Sequence, residues 1–346
     1  MQSRAVLHNI NTLRYVATFL LVSYHVIGLG EDGGMKLGYP SVWRFFADAL
    51  IDERMPLFAF IAGVVYALRP LMLADASGFF IGKFHRIVVP GVIASVIFWL
   101  SCNLIVKGGF AYGADPVATV LLSMGHFWFL QAILLIFLIV GGLDAALKYR
   151  STAFLFLGAL ALTVVWKQLP IPNIRYLKID SAVYLAPYFL LGLLLFRYHE
   201  AIMARQRIIV VAATCLFCLG VFLNIGVYQE TGQLSKDRFD FQSLSLGIGT
   251  ILLAQFLFPK IGLLDRLAVF SFTIYLYHPF GTSAVRRVIE VLDINAPALH
   301  FAIGVTAALV LPCLLHIVAD RFDWSRRMLL GLRAKSVAPL TAGKKI

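Results

Sequence analysis

The sequence predicts an all-α fold, a polytopic membrane helix bundle of about ten transmembrane helices with the N-terminus and C-terminus cytoplasmic. Three observations predict it. Of 346 residues, 60% are hydrophobic and only 14% are charged, whereas soluble domains are about 25% charged. Long apolar runs recur along the chain, and ~20 helical residues cross the hydrocarbon core of a bilayer. The basic residues also divide unequally between alternate connections, as the positive-inside rule requires.

The apolar runs and their charged punctuation give ten spans. The first, 12–30, carries Arg14 and His25 and has no small-x-small cleavage site, so it reads as a retained helix and not a signal peptide. The second, 46–68, contains Asp52-Glu53-Arg54 followed by Pro56, a residue suited to a helix's first turn. The third, 87–106, follows the basic stretch Lys83-Phe-His-Arg86. The fourth, 126–143, starts at His126-Phe-Trp128, and 152–166 and 182–196 are shorter. The remaining spans are 208–228, 242–258, 267–283 and 299–319. Residues 1–330 therefore read as a single integral-membrane domain, with 331–346 a flexible, basic cytoplasmic tail.

The net charge of +12 and isoelectric point near 9.7 would suggest nucleic acid as a partner of a soluble protein. In this topology they report sidedness, and no nucleic-acid partner is expected. The cytoplasmic segments hold 18 basic and 6 acidic residues and the outer segments 11 and 12. Arg14 alone is left inside the membrane. Cys102, Cys215, Cys218 and Cys313 lie in or beside apolar runs, so neither a disulfide framework nor a zinc site is indicated; the Cys215/Cys218 pair reads as packing.

Arg14 is the strongest anomaly. An arginine near the centre of a helix costs ~2.5–3.5 kcal/mol on insertion scales and normally faces protein or a water-filled cavity. His25 follows 11 residues later, which at about 100° and 1.5 Å per residue places both side chains on one face, ~16 Å apart. Two readings stand here: a snorkelling arginine with a helix-end histidine, or a cation and an imidazole at opposite ends of one polar track. Glu53 and Arg54 sit at the level of His25, where a carboxylate can orient an imidazole. Lys83 and Arg86 are candidates for phosphate binding, although topology alone also places cations there.

Trp128, Tyr275 and their aromatic neighbours suit an interfacial belt. His126 and His278 stand beside the predicted level of His25, but none of the three histidines is four residues from another. A metal site is therefore not expected. No P-loop, nucleophile-elbow or dinucleotide fingerprint occurs in a suitable setting.

Six segments taken in order resemble the acyltransferase 3 family, multi-pass membrane O-acyltransferases of bacteria. Arg14 and His25 match its R-x10-H signature, and Met55-Pro-Leu-Phe-Ala-Phe-Ile-Ala-Gly63 is similar to its PLFFFISG segment, with Ala59 and Ala62 replacing Phe and Ser. Arg86-Ile-Val-Val-Pro90 resembles R-x-x-x-P, and His126-Phe-Trp-Phe-Leu130 resembles HLWFL. Pro187-Tyr-Phe-Leu-Leu-Gly192 and Tyr275-Leu-Tyr-His-Pro279 resemble FxxG and YLxHP.

The resemblance implies transfer of an acyl group, commonly acetyl, from cytoplasmic acyl-CoA to a hydroxyl of a sugar or exported glycan at the outer side of a bacterial inner membrane. Read with the residues, His25 is the expected general base, with Arg14 and Glu53 as catalytic partners. Arg14, Arg86 and Lys83 are expected to hold the acyl-CoA, and Arg54, His126, Trp128, Tyr275 and His278 the acceptor. Direct transfer and an acyl-His25 intermediate both remain open. The expected partners besides substrates are the lipid bilayer, another copy of the chain or polysaccharide-export machinery. A secondary transporter or flippase for a sugar or lipid-linked sugar is the alternative, with Arg14 and His25 as substrate or proton-relay groups.

Overall fold

A computed structural model describes residues 8–31, 33–104, 117, 125–169 and 177–333. The last residues of the predicted third span, the tail from 334 onward, and Arg4, Lys107 and Arg175 of the charge balance lie outside the described residues.

Among the described residues the regular structure is helical, with no strand. The helices are α1 (Ile10–Ile27), α2 (Val42–Ala49), α3 (Ile51–Leu68), α4 (Ala76–Lys83), α5 (Val89–Leu104), α6 (Trp128–Ala146), α7 (Thr152–Val165) and α8 (Ile179–Arg197). They continue as α9 (His199–Met203), α10 (Gln206–Thr231), α11 (Phe241–Leu257), α12 (Gly262–Leu267), α13 (Ser271–Val291), α14 (Pro297–Ala319) and α15 (Asp323–Leu330). A π-helical turn, Phe84–Val88, joins α4 to α5.

Each of the ten predicted spans contains one long helix, but length and composition qualify fewer to cross a membrane unaided. Among the described residues six apolar helical segments do so, or seven if the pair Phe241–Leu257 and Gly262–Val291, bent by 112°, counts as one span. The shortfall has local causes. α3 opens on Asp52, Glu53 and Arg54, and α13 ends with Arg286, Arg287 and Glu290. α7 has 14 residues, ~21 Å at 1.5 Å per residue against ~30 Å of hydrocarbon.

α1 sits among α2, α3, α12, α13 and α14. Its start is tied to the end of α11. There the Asn9 amide donates to the carbonyls of Ala254, Gln255 and Phe258 at 3.2, 3.2 and 2.9 Å, and Thr12 Oγ1 accepts from the Ile261 N–H at 3.1 Å. A helix leaves its last carbonyls without intrahelical donors. Asn9 supplies donors at the bend where the chain turns from α11 into α12.

A close backbone approach joins α3 to α8. A Cβ at Gly63 would overlap the carbonyl oxygen of Phe189, and one at Gly192 would overlap that of Phe60. Both glycines come from segments carrying the family resemblance, and the fold brings them reciprocally into contact. Small residues at such crossings let membrane helices gain dispersion contact where lipid removes the hydrophobic drive.

Gly63→Ala and Gly192→Ala are each expected to destabilise the protein by about 1–3 kcal/mol or more, the cost of overpacking a site whose neighbour is backbone. Gly226 on α10 has open space around it, so Gly226→Ala should leave the thermal midpoint in detergent near that of the native chain. Equal midpoints for all three variants would rule out the crossing as the constraint.

Candidate functional site

α1 delivers His25 to a cluster drawn from three separate parts of the chain. The ring centroid of His25 lies 4.9 Å from that of His278 on α13 and 6.1 Å from that of His126, which precedes α6. The His126 and His278 centroids are also 4.9 Å apart. His126 and His278 are buried, whereas His25 is half-buried. Tyr275 fixes the approach of the two elements by donating its hydroxyl to the His126 carbonyl at 2.6 Å.

The trio is not arranged as a ligand set. His126 Nε2 is 3.3 Å from the Leu276 carbonyl, and His278 Nδ1 is 2.9 and 3.0 Å from the carbonyls of Ile274 and Tyr275. Among the described residues no three histidine, cysteine or acidic side chains are placed to hold a metal ion.

A second polar cluster adjoins the first through Tyr24, whose ring lies 5.5 Å from that of His25. The Arg54 guanidinium stacks 3.4 Å above the Tyr24 ring. Glu53, one residue earlier and about 100° around α3, turns towards α11 and accepts a hydrogen bond from Thr250 at 3.4 Å. The expected contact between Glu53 and His25 is therefore not formed: Arg54 takes the face of α3 that looks at α1. Asp52 accepts from Ser243 at 2.6 Å.

Three residues of this region escaped the sequence reading. The Arg238 guanidinium lies 5.3 Å from the Trp128 ring and 5.7 Å from the Tyr184 ring. Tyr184 and Tyr188 are fully buried with hydroxyls that lack partners among the described residues, as do Glu53 Oε2 and Arg54 Nη1. The spacing of Tyr184 and Tyr188, four residues apart beside Pro187, was a signal. Arg238 lies in a connection with no periodicity to reveal it.

At the opposite end of α1, Arg14 is within electrostatic reach of Arg86 and Asp265. Arg86 is exposed and belongs to the π-helical turn, a geometry often found at functional sites. Lys83 instead holds its ammonium 3.7 Å from the Phe137 ring and 5.0 Å from the Phe79 ring. No carboxylate forms an ion pair with Arg14, Lys83 or Arg86 among the described residues. The arrangement thus joins an unpaired cationic end to an accessible imidazole, with buried polar groups around the latter.

A family model described as an acyltransferase domain, acyltransferase 3, matches residues 7–317. No curated protein and no solved structure matches the chain.

The end of α1 that bears His25 is held by a buried ion pair. Arg44 on α2 donates to the Gly28 carbonyl at 2.5 Å and is paired with Asp48, both residues being 1% exposed. Asp48 also accepts from the Tyr39 hydroxyl at 3.1 Å. Partial burial pushes the Tyr39 phenol up to about 12, which keeps its proton available for that bond. Asp48→Ala strands a buried guanidinium, so a loss of about 3–5 kcal/mol is expected. The double variant Arg44→Met/Asp48→Leu removes both charges and should recover much of it. Thermal unfolding of the two proteins in detergent is the check, and equal midpoints would show that the ion pair does not organise this end.

Proposed function

The chain belongs to the acyltransferase 3 family, and from that premise we propose that it is a membrane O-acyltransferase. It takes an acyl group, acetyl in the first instance, from acyl-CoA and transfers it to a hydroxyl of a sugar or exported glycan. The observation that carries this reading is the polarity of α1. Arg14 and Arg86 form a cationic end without carboxylate ion pairs, suited to the phosphates of a nucleotide thioester. A half-buried His25 stands beyond it on the same helix, at a rise of ~16 Å. A pantetheine arm is long and thin enough to connect two such ends.

In this reaction His25 accepts the proton of the acceptor hydroxyl as its oxygen attacks the thioester carbonyl. Collapse of the tetrahedral intermediate expels the CoA thiolate, which takes the proton back from the imidazolium. Arg14 and Arg86 hold the donor. Arg54, Trp128 and Tyr275, with His126, shape the acceptor side, and the location in this reading is the bacterial inner membrane.

Membranes containing the protein and supplied with labelled acetyl-CoA are expected to transfer label to a saccharide. His25→Ala should reduce transfer by roughly 10²–10⁴-fold, the usual contribution of a general base. Arg14→Ala should act chiefly through donor affinity. Full transfer by His25→Ala at native protein levels would overturn the assignment. Ion-coupled sugar uptake without acyl-CoA consumption would favour a transporter instead.

A further inference from the structure

The three histidines differ in how their nitrogens are committed, and the difference begins with a proline. Pro279 lies inside α13 and has no N–H, so the carbonyl four residues earlier, that of Tyr275, loses its helical donor. His278 Nδ1 is 3.0 Å from that oxygen and 2.9 Å from the Ile274 oxygen. Carbonyl oxygens only accept, so Nδ1 carries the hydrogen. The neutral ring has a single N–H, which leaves His278 Nε2 as a lone-pair acceptor.

That acceptor is buried and has no partner among the described residues. An unsatisfied buried polar atom requires an explanation. His126 cannot supply the donor, because its own N–H is directed at the Leu276 carbonyl through Nε2. Tyr275 spends its hydroxyl hydrogen on the His126 carbonyl. His25 is the remaining ring of the trio. Its nitrogens make no hydrogen bond among the described residues, and its centroid is 4.9 Å from that of His278. The other polar groups facing His25 are Tyr24 on its own helix and Arg54 on α3, and neither makes a hydrogen bond to His278 Nε2 among the described residues.

We infer that His278 is a positioning residue for His25: its Nε2 accepts the His25 N–H and so leaves the opposite nitrogen of His25 with the lone pair directed to the acceptor hydroxyl. The nitrogen that acts as base is set by the hydrogen bond its partner nitrogen makes. A neutral imidazole here takes the place that a carboxylate occupies in a serine-hydrolase triad. At a centroid separation of 4.9 Å the two rings are close enough for a nitrogen-to-nitrogen hydrogen bond, which a ring rotation completes, as catalytic bonds often tighten only with substrate bound. The inference rests on the reading of His25 as the base.

The test uses the full-length protein in detergent, with diethyl pyrocarbonate as probe and peptide mass spectrometry to follow each histidine. No donor or acceptor is added. In His278→Leu the modification rate of His25 should fall by about 10-fold, the equivalent of one hydrogen bond to a group that becomes charged. His278→Gln places an amide oxygen near the former Nε2 and should restore most of the rate. Exposed His85 serves as the internal reference. If His278→Leu fails to fold, Pro279→Ala offers a second route, because a restored N–H competes for the Tyr275 carbonyl and should slow His25 modification without removing a histidine.

Equal His25 reactivity in the native, Leu and Gln proteins would overturn the inference, as would equal losses in Leu and Gln. The acetyl-transfer assay separates this result from the wider reading. If His278 controls His25 reactivity while His25→Ala still transfers acetyl, the positioning stands and the assignment of His25 as base fails. If both hold, His278→Leu should lower kcat about 10-fold with little change in the KM for acetyl-CoA, and His278→Gln should recover it.

Discussion

The structure depends on keeping α1 out of lipid. The helix carries Arg14 and His25 through a layer in which an exposed arginine costs ~2.5–3.5 kcal/mol by insertion measurements, and α3, α12, α13 and α14 enclose it. Other helices take the lipid-facing role. Phe154 and Leu157 on α7 and Ile208 and Phe222 on α10 are among the most exposed large apolar side chains. That distribution inverts the order of a soluble protein, with polar groups facing inward and the apolar surface meeting the solvent, here hydrocarbon.

Enclosure alone does not set the register of α1, because apolar helix faces slide with little penalty in a bilayer. Directional bonds at its ends do. Asn9 and Thr12 fasten one end to the turn between α11 and α12, and Arg44 fastens the other through the Gly28 carbonyl. A comparable buried group ties α3, α6, α7 and α8 together: Arg197 bridges Asp144 and Thr152, and Tyr66 donates to Asp144 at 3.0 Å. Buried ion pairs gain little net stability after desolvation. Their contribution here is positional, since a shift of one helical residue would leave a charge unpaired in the interior.

Much of this was legible in the sequence because a membrane imposes a strong pattern. The hydrophobic runs mark every long helix, and the R-x10-H spacing places Arg14 and His25 on one face. The number of unaided spans was less legible, since α3 and α13 conceal charged turns within protein and α7 is short. Site contacts were readable where they followed helix geometry and unreadable where they depended on tertiary rotation. His126 and His278 meet His25, as their common level suggested. Glu53 does not, because the rotation of α3 is fixed by its crossing with α8 at Gly63 and by the stacking of Arg54 on Tyr24. Arg238 belongs to a connection whose path no local pattern specifies.

The distribution of unsatisfied atoms distinguishes two polar clusters of the bundle. Around Asp144 the polar groups are mutually paired, as a purely structural cluster requires. Around His25 they are not: Glu53 Oε2, Arg54 Nη1, the hydroxyls of Tyr184 and Tyr188, and His278 Nε2 all lack partners among the described residues. Burying such groups without hydrogen bonds costs about 1–3 kcal/mol each, and packing could have removed the cost with apolar residues of similar size. Pro279 adds another missing helical bond to the same region. A cluster that leaves its buried polar groups open is complementary to a polar ligand. In the proposed reaction, the acceptor hydroxyl and its sugar would complete those bonds.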